Sequence, residues 1–224
     1  MSNKINNLKF SIAVDGSAAS GKSTGSKIIA KHFNFKLLNS GRLYRFLAFN
    51  MLKNKKTLKN WNYIQKISKN ISIAKLNKKQ LNQQNVSYLS SKIAKNKNVR
   101  KLLKNFQKKF TKNKKFIIEG RDIGSVIIPN ADLKLYFKCS LNEKAKRRYN
   151  ELKKVSPNIT FENVKNAIKK RDFLDKNRKE SPLLFVKGAV LVVTTNLTIK
   201  KMRLKLIKIV DKAVKKKIWK FIKI

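Results

Sequence analysis

Gly16 to Ser23 read G-S-A-A-S-G-K-S. The two glycines and the Lys22-Ser23 pair fit the spacing G-x-x-x-x-G-K-[ST]. An apolar run of strand length, Phe10–Val14, precedes them, and Ser26–Phe33 ("SKIIAKHF") continues at helical spacing. A strand that enters such a loop and leaves as a helix aims successive backbone N–H groups and a helix N-terminus at one spot, where phosphates are held. The residues concerned are Gly16, Ser17, Ala18, Ala19, Ser20, Gly21, Lys22, Ser23 and Thr24. Lys22 would reach the β- and γ-phosphates, and the Ser23 hydroxyl would ligate Mg²⁺ beside them. The chemistry is that of a nucleoside triphosphate. What receives its phosphoryl group is the question left to the rest of the chain.

The arginines come next. Of 56 basic residues only nine are arginine. A planar guanidinium grips a phosphate with two parallel hydrogen bonds, which an ammonium cannot do. In a lysine-saturated chain the remaining arginines therefore mark places where a point charge is not enough. Arg42 and Arg45 follow Ser40-Gly41 at the head of a helical pattern. Arg121 and Asp122 lie in "EGRDIG", just after a strand-like run, at the sheet edge where open α/β folds bind ligands. Arg171, Asp175 and Arg178 are spaced i, i+4, i+7, on one helical face. With only 11 acidic residues in the chain, ordinary surface salt bridges account poorly for them.

Composition narrows the classes. The 224 residues suit one domain with a real core. The formal net charge of +45 would ordinarily suggest nucleic acid. Here the excess runs from end to end, with Asn and Ile abundant as well and Gly and Pro scarce, which points to drift in base composition. The charge can still help gather anionic nucleotides. Cys139 is the single cysteine, which excludes a disulfide framework or a cysteine-rich metal site. His32 is the single histidine and reads as a surface residue, so histidine-based catalysis is excluded. No run of 18 apolar residues and no N-terminal apolar segment argue for a membrane or for export, so a cytoplasmic protein is expected. The C-terminal "KKKIWKFIKI" is expected to pack a final helix onto the body through Trp219 and Phe221.

Elements must position these groups. Strand-like runs recur at Phe10–Val14, Lys36–Leu38, Phe116–Ile118, Leu133–Phe137 and Val190–Val193, separated by helical patterns. That alternation predicts an α/β fold with a five-stranded parallel sheet flanked by helices. Residues 54–98, rich in Lys, Asn, Gln and Ser, read as an insertion on the core. Two helical segments, Asn142–Lys153 and Thr160–Asp175, are separated by a turn at Val155–Asn158. They form a hairpin of the kind that closes over phosphates, with the lid at residues 147–160.

Taken together, "GSAASGKST", "NSGRLYR", "NVRKLL", "EGRDIGSVIIPNADLKLYF", "EKAKRR" and "RDFLDKNR…SPL" resemble, in order and over nearly the whole chain, the bacterial cytidylate kinases. That resemblance implies a P-loop kinase phosphorylating CMP or dCMP from ATP with Mg²⁺, with a nucleoside-monophosphate-binding insert. Ser40, Arg45, Arg121 and Arg178 would hold the acceptor's phosphate, and Arg171 and Asp175 would reach its ribose. Ser91, Arg100 and Asp122 would read cytosine, while Arg147 and Arg148 would approach the transferring phosphate from the lid. The base assignment suits the chemistry. A carboxylate accepts from the exocyclic amine that cytosine has and uracil lacks, and a guanidinium donates to the base's acceptor edge. Nine residues apart, Ser91 and Arg100 would face opposite sides of a continuous helix, so a break is expected near "KNKN". A monomer is expected, with no obligate protein partner and no specific nucleic acid.

The chain departs from the family pattern at Asn39, where Asp is usual, at Ser23, where Gly is frequent, and in a shorter stretch between Tyr44 and Ser91. Rival readings are an adenylate- or shikimate-type kinase, or a basic RNA-binding protein. The aromatic residues form no stacking array of the kind that holds single strands, and no N-K-x-D guanine signature occurs.

Overall fold

The computed structural model describes residues 8–154 and 156–222, without the side chains of 220–222. Five strands form one parallel sheet in the order β2-β3-β1-β4-β5. They are β1 (Phe10–Gly16), β2 (Lys36–Asn39), β3 (Lys115–Gly120), β4 (Leu133–Lys138) and β5 (Val190–Val193). Each grows from an apolar run expected to form it. The helices are α1 (Lys22–Phe33), α2 (Ser40–Lys53), α3 (Trp61–Lys69), α4 (Ile73–Leu76), α5 (Gln84–Ile93), α6 (Lys97–Phe110), α7 (Leu141–Lys153), α8 (Phe161–Asn177) and α9 (Ile199–Ile222).

Strand periodicity sends alternate side chains to two cores. Ile12 and Val14 face α1 and α9, joining Ile29, Phe137, Leu206 and Val210. Ala13 and Ile118 face the other way, joining Leu43, Leu47 and Met51 of α2 and Val99 and Leu103 of α6. Both faces of the sheet are therefore covered, as a parallel sheet requires. Register puts Asn39, Glu119 and Val14 side by side, so β1, β2 and β3 end at one edge.

Residues 54–98 fold as short helices that add Ile64, Leu76, Leu81, Val86 and Ile93 to the α2-side core. The chain breaks between α5 and α6, at Ala94–Asn96, as expected. The Asn96 side chain caps α6, accepting from the Val99 N–H at 3.0 Å. Helices α7 and α8 form the anticipated hairpin around Ala145, Val164 and Ile168. Val155, the first residue of the expected turn, lies outside the described residues.

One expectation is corrected. Trp219 is 65% exposed and is not part of the row that packs α9 onto the body. The packing row is Met202, Leu206, Val210, Val214 and Ile218. Trp219 stands one residue, about 100° of helix, off that row. The Phe221 side chain lies outside the described residues. His32 is exposed on α1, as expected.

Candidate active site

The phosphate loop leaves the centre of the sheet after β1. Gly21 caps α1 with φ of 83°, the left-handed region glycine enters without strain. At Gly16 a Cβ would meet the Phe137 carbonyl oxygen at 2.6 Å, so only glycine fits against β4. Lys22 is buried and donates to the Ser17 carbonyl at 3.0 Å. Burial first, then the charge of Arg121, pushes its pKa down to about 7 against the pull of Glu119. The Ser23 hydroxyl donates to Glu119 at 2.7 Å, and the Asn39 amide donates to the same oxygen. Glu119 is 1% exposed, and its Oε2 accepts no hydrogen bond. Next to it in the sheet, buried Asp15 accepts from the Ile123 and Gly124 N–H groups at 2.8 and 2.7 Å, which pins the turn after β3.

The arginines converge beside this edge. Arg121 donates to Asp175 at 2.7 Å. Burial acts to raise the Asp175 carboxyl, but Arg121 and Arg171 outweigh it and hold its pKa below the usual value. Arg178 donates to the Ser181 carbonyl at 2.7 Å and stands 3.8 Å from Asp122 and 4.0 Å from Asp175. Arg100 pairs with Asp122 and lies over the Tyr44 ring, 5.9 Å from its centroid. Its guanidinium also donates to the Ala94 carbonyl, in the break before α6, at 3.2 Å.

Arg45 and Arg171, from α2 and α8, both donate to the Ser87 hydroxyl, at 3.0 and 2.8 Å. Burial first, and then the charge of Arg171, lowers the Arg45 pKa to about 9. Burial and the charge of Arg121 lower that of Arg171 to about 10. Cations held this close, away from water, favour an anion. Ser40 heads α2 and is 3% exposed; its hydroxyl accepts from the Gln107 amide at 2.6 Å. Ser91 is not gathered with Arg100 and Asp122: its hydroxyl donates to the Ser87 carbonyl at 3.2 Å, inside α5.

The α7–α8 hairpin reaches the loop through two contacts. Lys144 and Asp172 form a buried ion pair, and Asp172 also accepts from the Ala18 N–H at 3.0 Å. Arg147 pairs with Glu143 at 2.8 Å and donates to the Thr194 carbonyl at 2.7 Å. The Thr194 hydroxyl in turn donates to the Ser20 carbonyl at 2.9 Å. Arg148 pairs with Glu151 at 2.9 Å and reaches the Asn82 carbonyl at 3.5 Å.

Lys22 on the phosphate loop, Arg45, Arg121, Arg171 and Arg178 converging beside it, and the Arg100–Asp122 pair after β3 together suit phosphoryl transfer to an anionic acceptor. The family profile described as cytidylate kinase matches residues 12–212. The chain belongs to the cytidylate kinase family. The cytidylate kinase of Fusobacterium nucleatum subsp. nucleatum is 40% identical over 203 residues, 84% of this chain and 91% of that protein. The cytidylate kinase of Caldanaerobacter subterraneus subsp. tengcongensis is 35% identical over 202 residues, 86% of this chain and 90% of that protein. Among solved structures, an uncharacterized protein from Eubacterium ventriosum is similar with a TM-score of 0.54 at 15% identity, over 91% of this chain and 99% of that one; this bears on the fold alone.

A cytidylate kinase implies a magnesium ion beside the phosphates. Among the described residues no cluster of three His, Cys, Asp or Glu could hold a metal alone. Beside the loop stand the Ser23 hydroxyl and the buried, half-satisfied Glu119 carboxylate, both oxygen donors suited to a hard cation that takes its other ligands from phosphate and water. The residues fit.

Glu119, Ser87, Gln107, Lys144 and Asp172 were not singled out from the sequence. Gln107 had a usable signal, since it continues the buried row Val99–Leu103 at i+4 spacing with an amide where an apolar residue belongs.

Proposed function

We propose that the protein transfers the γ-phosphoryl group of ATP to CMP or dCMP, giving ADP and CDP or dCDP. Family membership supports the reading, and the observation that carries it is the Arg100–Asp122 pair at the mouth of the arginine cluster. Asp122, ionised, only accepts hydrogen bonds, which suits the cytosine amine and repels the uracil carbonyl. Arg45, Arg121 and Arg178, with Ser40, hold the acceptor's phosphate; Arg171 and Asp175 take its ribose. Ser91, whose hydroxyl points back along α5, joins the base contacts when that helix adjusts.

No general base is required, because the attacking phosphate oxygen is already anionic. Catalysis reduces to alignment and charge neutralisation. Lys22 and the loop amides hold the donor's phosphates. Ser23 and Glu119 would hold a magnesium ion, which would supply positive charge to offset that of the transferring phosphoryl group. Residues 54–98 form the acceptor-binding insert and residues 147–160 the lid, from which Arg147 and Arg148 approach; closure excludes water and with it ATP hydrolysis. We place the protein in the cytoplasm as a monomer without obligate protein or nucleic-acid partners; no described helix is long and apolar enough to cross a membrane.

The test is ADP release from Mg-ATP with CMP, dCMP, UMP, AMP or shikimate offered in turn. Release stimulated by CMP or dCMP well above the others is expected. Stimulation by AMP or shikimate alone would overturn the reading.

A further inference from the structure

Among the polar groups around the site, Gln107 stands apart in being fully enclosed by the body rather than by the cluster of charges. It lies on α6, 1% exposed, on the face that buries Val99 and Leu103. An amide in an apolar row is costly to bury unless it is hydrogen-bonded. Its partner is the Ser40 hydroxyl, 67 positions earlier in the chain, to which Nε2 donates at 2.6 Å. Ser40 is itself a poor place for an idle hydroxyl. It is buried, opens helix α2, and its Cβ lies 3.4 Å from where a Cβ on Gly120 would stand, next to Arg121.

We propose that Gln107 is a positioning residue for the acceptor nucleotide: it fixes the direction in which Ser40 donates. The inference rests on the reading above that the acceptor's phosphate is held at the head of α2. A serine hydroxyl has one proton and two lone pairs. With the Gln107 amide donating from the core side, the oxygen acts there as an acceptor, and its proton is left for the sheet edge, where the α2 N-terminus and Arg121 meet. A hydroxyl held this way donates to an anion without first giving up a competing bond. Lacking the amide, the rotor is free, and its proton is shared with carbonyls of the surrounding backbone. The same logic explains why a polar side chain occupies an apolar row: Gln107 supplies a donor that a leucine or methionine cannot.

The experiment is Gln107→Met in two backgrounds, wild type and Ser40→Ala, with kcat and KM for CMP and for ATP measured in each and thermal unfolding followed alongside. Methionine matches the shape and suits the apolar row, so the variant is expected to fold. In the Ser40-containing protein we expect KM for CMP to rise roughly 3- to 30-fold, the range for weakening one charge-assisted hydrogen bond, while KM for ATP and kcat stay within about twofold. In the Ser40→Ala background the same change should leave KM for CMP where it was. If Gln107→Met is insoluble, Gln107→Asn, which draws the amide back by one methylene, carries the same expectation. An unchanged KM for CMP, or an equal rise in both backgrounds, or a joint rise in KM for CMP and ATP, overturns the proposal and leaves Gln107 a packing residue. Wild-type protein that releases no ADP with CMP overturns the functional reading instead.

Discussion

The Asp172 carboxylate accepts a hydrogen bond from the Ala18 N–H at 3.0 Å, joining helix α8 to the phosphate loop across 154 positions of sequence. The next residue back, Arg171, donates to the Ser87 hydroxyl of α5. Two adjacent residues of one helix thus tie the phosphate loop and the segment 54–98 to α8. Lys144, from α7, completes the arrangement by pairing with Asp172 and reaching the Ser17 hydroxyl at 3.4 Å.

Asp172→Asn should keep an oxygen for Ala18 while leaving the Lys144 ammonium buried and unpaired. Breaking one side of a buried ion pair costs about 3–5 kcal/mol, so stability should fall by that order. Urea unfolding measures it, and the double variant Asp172→Asn, Lys144→Met should recover part of the loss. Equal stability of wild type and single variant would show that the pair carries no net weight.

Lys22 offers a pH-dependent signature. With its pKa near 7, the free protein holds it mostly neutral at pH 8. Anionic phosphates beside the amine favour the charged form and raise that pKa. Nucleotide binding at pH 8 should therefore take up a proton, approaching about one per site, and the uptake should fade toward pH 6, where the amine is already charged. Calorimetry in buffers of differing ionisation enthalpy reads this directly. Lys22→Met should abolish the uptake and lower kcat roughly 10²–10³-fold with the fold intact.

Arg178 tests whether guanidinium geometry matters beyond charge. Its side chain is 6% exposed and stands between Asp122 and Asp175. Arg178→Lys keeps the charge and loses the fork, so kcat/KM for CMP should fall about tenfold or more. Lys201→Arg, on the exposed side of α9, is the comparison and should do little. Similar tolerance at both positions would refute the argument from scarce arginine.

Asp122→Asn addresses base choice. The amide offers both a donor and an acceptor, so the CMP/UMP ratio of kcat/KM should narrow by roughly 5–150-fold, mainly by loss on CMP. Arg100 and Arg178 also lose a charged neighbour, so some activity on every acceptor will go. If the ratio holds while both activities fall together, Asp122 positions arginines and does not read the base.

The sheet was legible because each strand is an apolar run between polar turns, and β1 with its glycine loop identifies itself. The break at Ala94–Asn96 falls where one was expected, although Ser91 and Arg100 do not meet across it. What stayed hidden has one physical cause. Glu119, Ser87, Gln107 and Asp172 are polar residues, each with a partner 42 to 154 positions away, and no local periodicity reports such pairings. The site inherited the same limit. Arg100 and Asp122 could be expected to cooperate, whereas the turning of the Ser91 hydroxyl into its own helix could not. Trp219 was misplaced for a simpler reason: it stands one step off the row that packs α9 onto the sheet.

Arg42 and Arg45 grip residues 76–82 chiefly by the main chain. Arg42 donates to the Leu76 carbonyl and, at 2.9 Å, to that of Lys78, and Arg45 donates to that of Leu81 at 2.8 Å. Only the Asn82 side chain, 3.2 Å from Arg42, adds a contact that depends on residue type. A carbonyl is the same on every residue, so this stretch can exchange lysine for asparagine or glutamine with little consequence for where Arg45 points. Adding or removing a single residue is another matter, because it moves the carbonyls themselves. Apart from the buried Leu76 and Leu81, the segment is thus permissive in composition and strict in length, so lysine can accumulate there without moving Arg45.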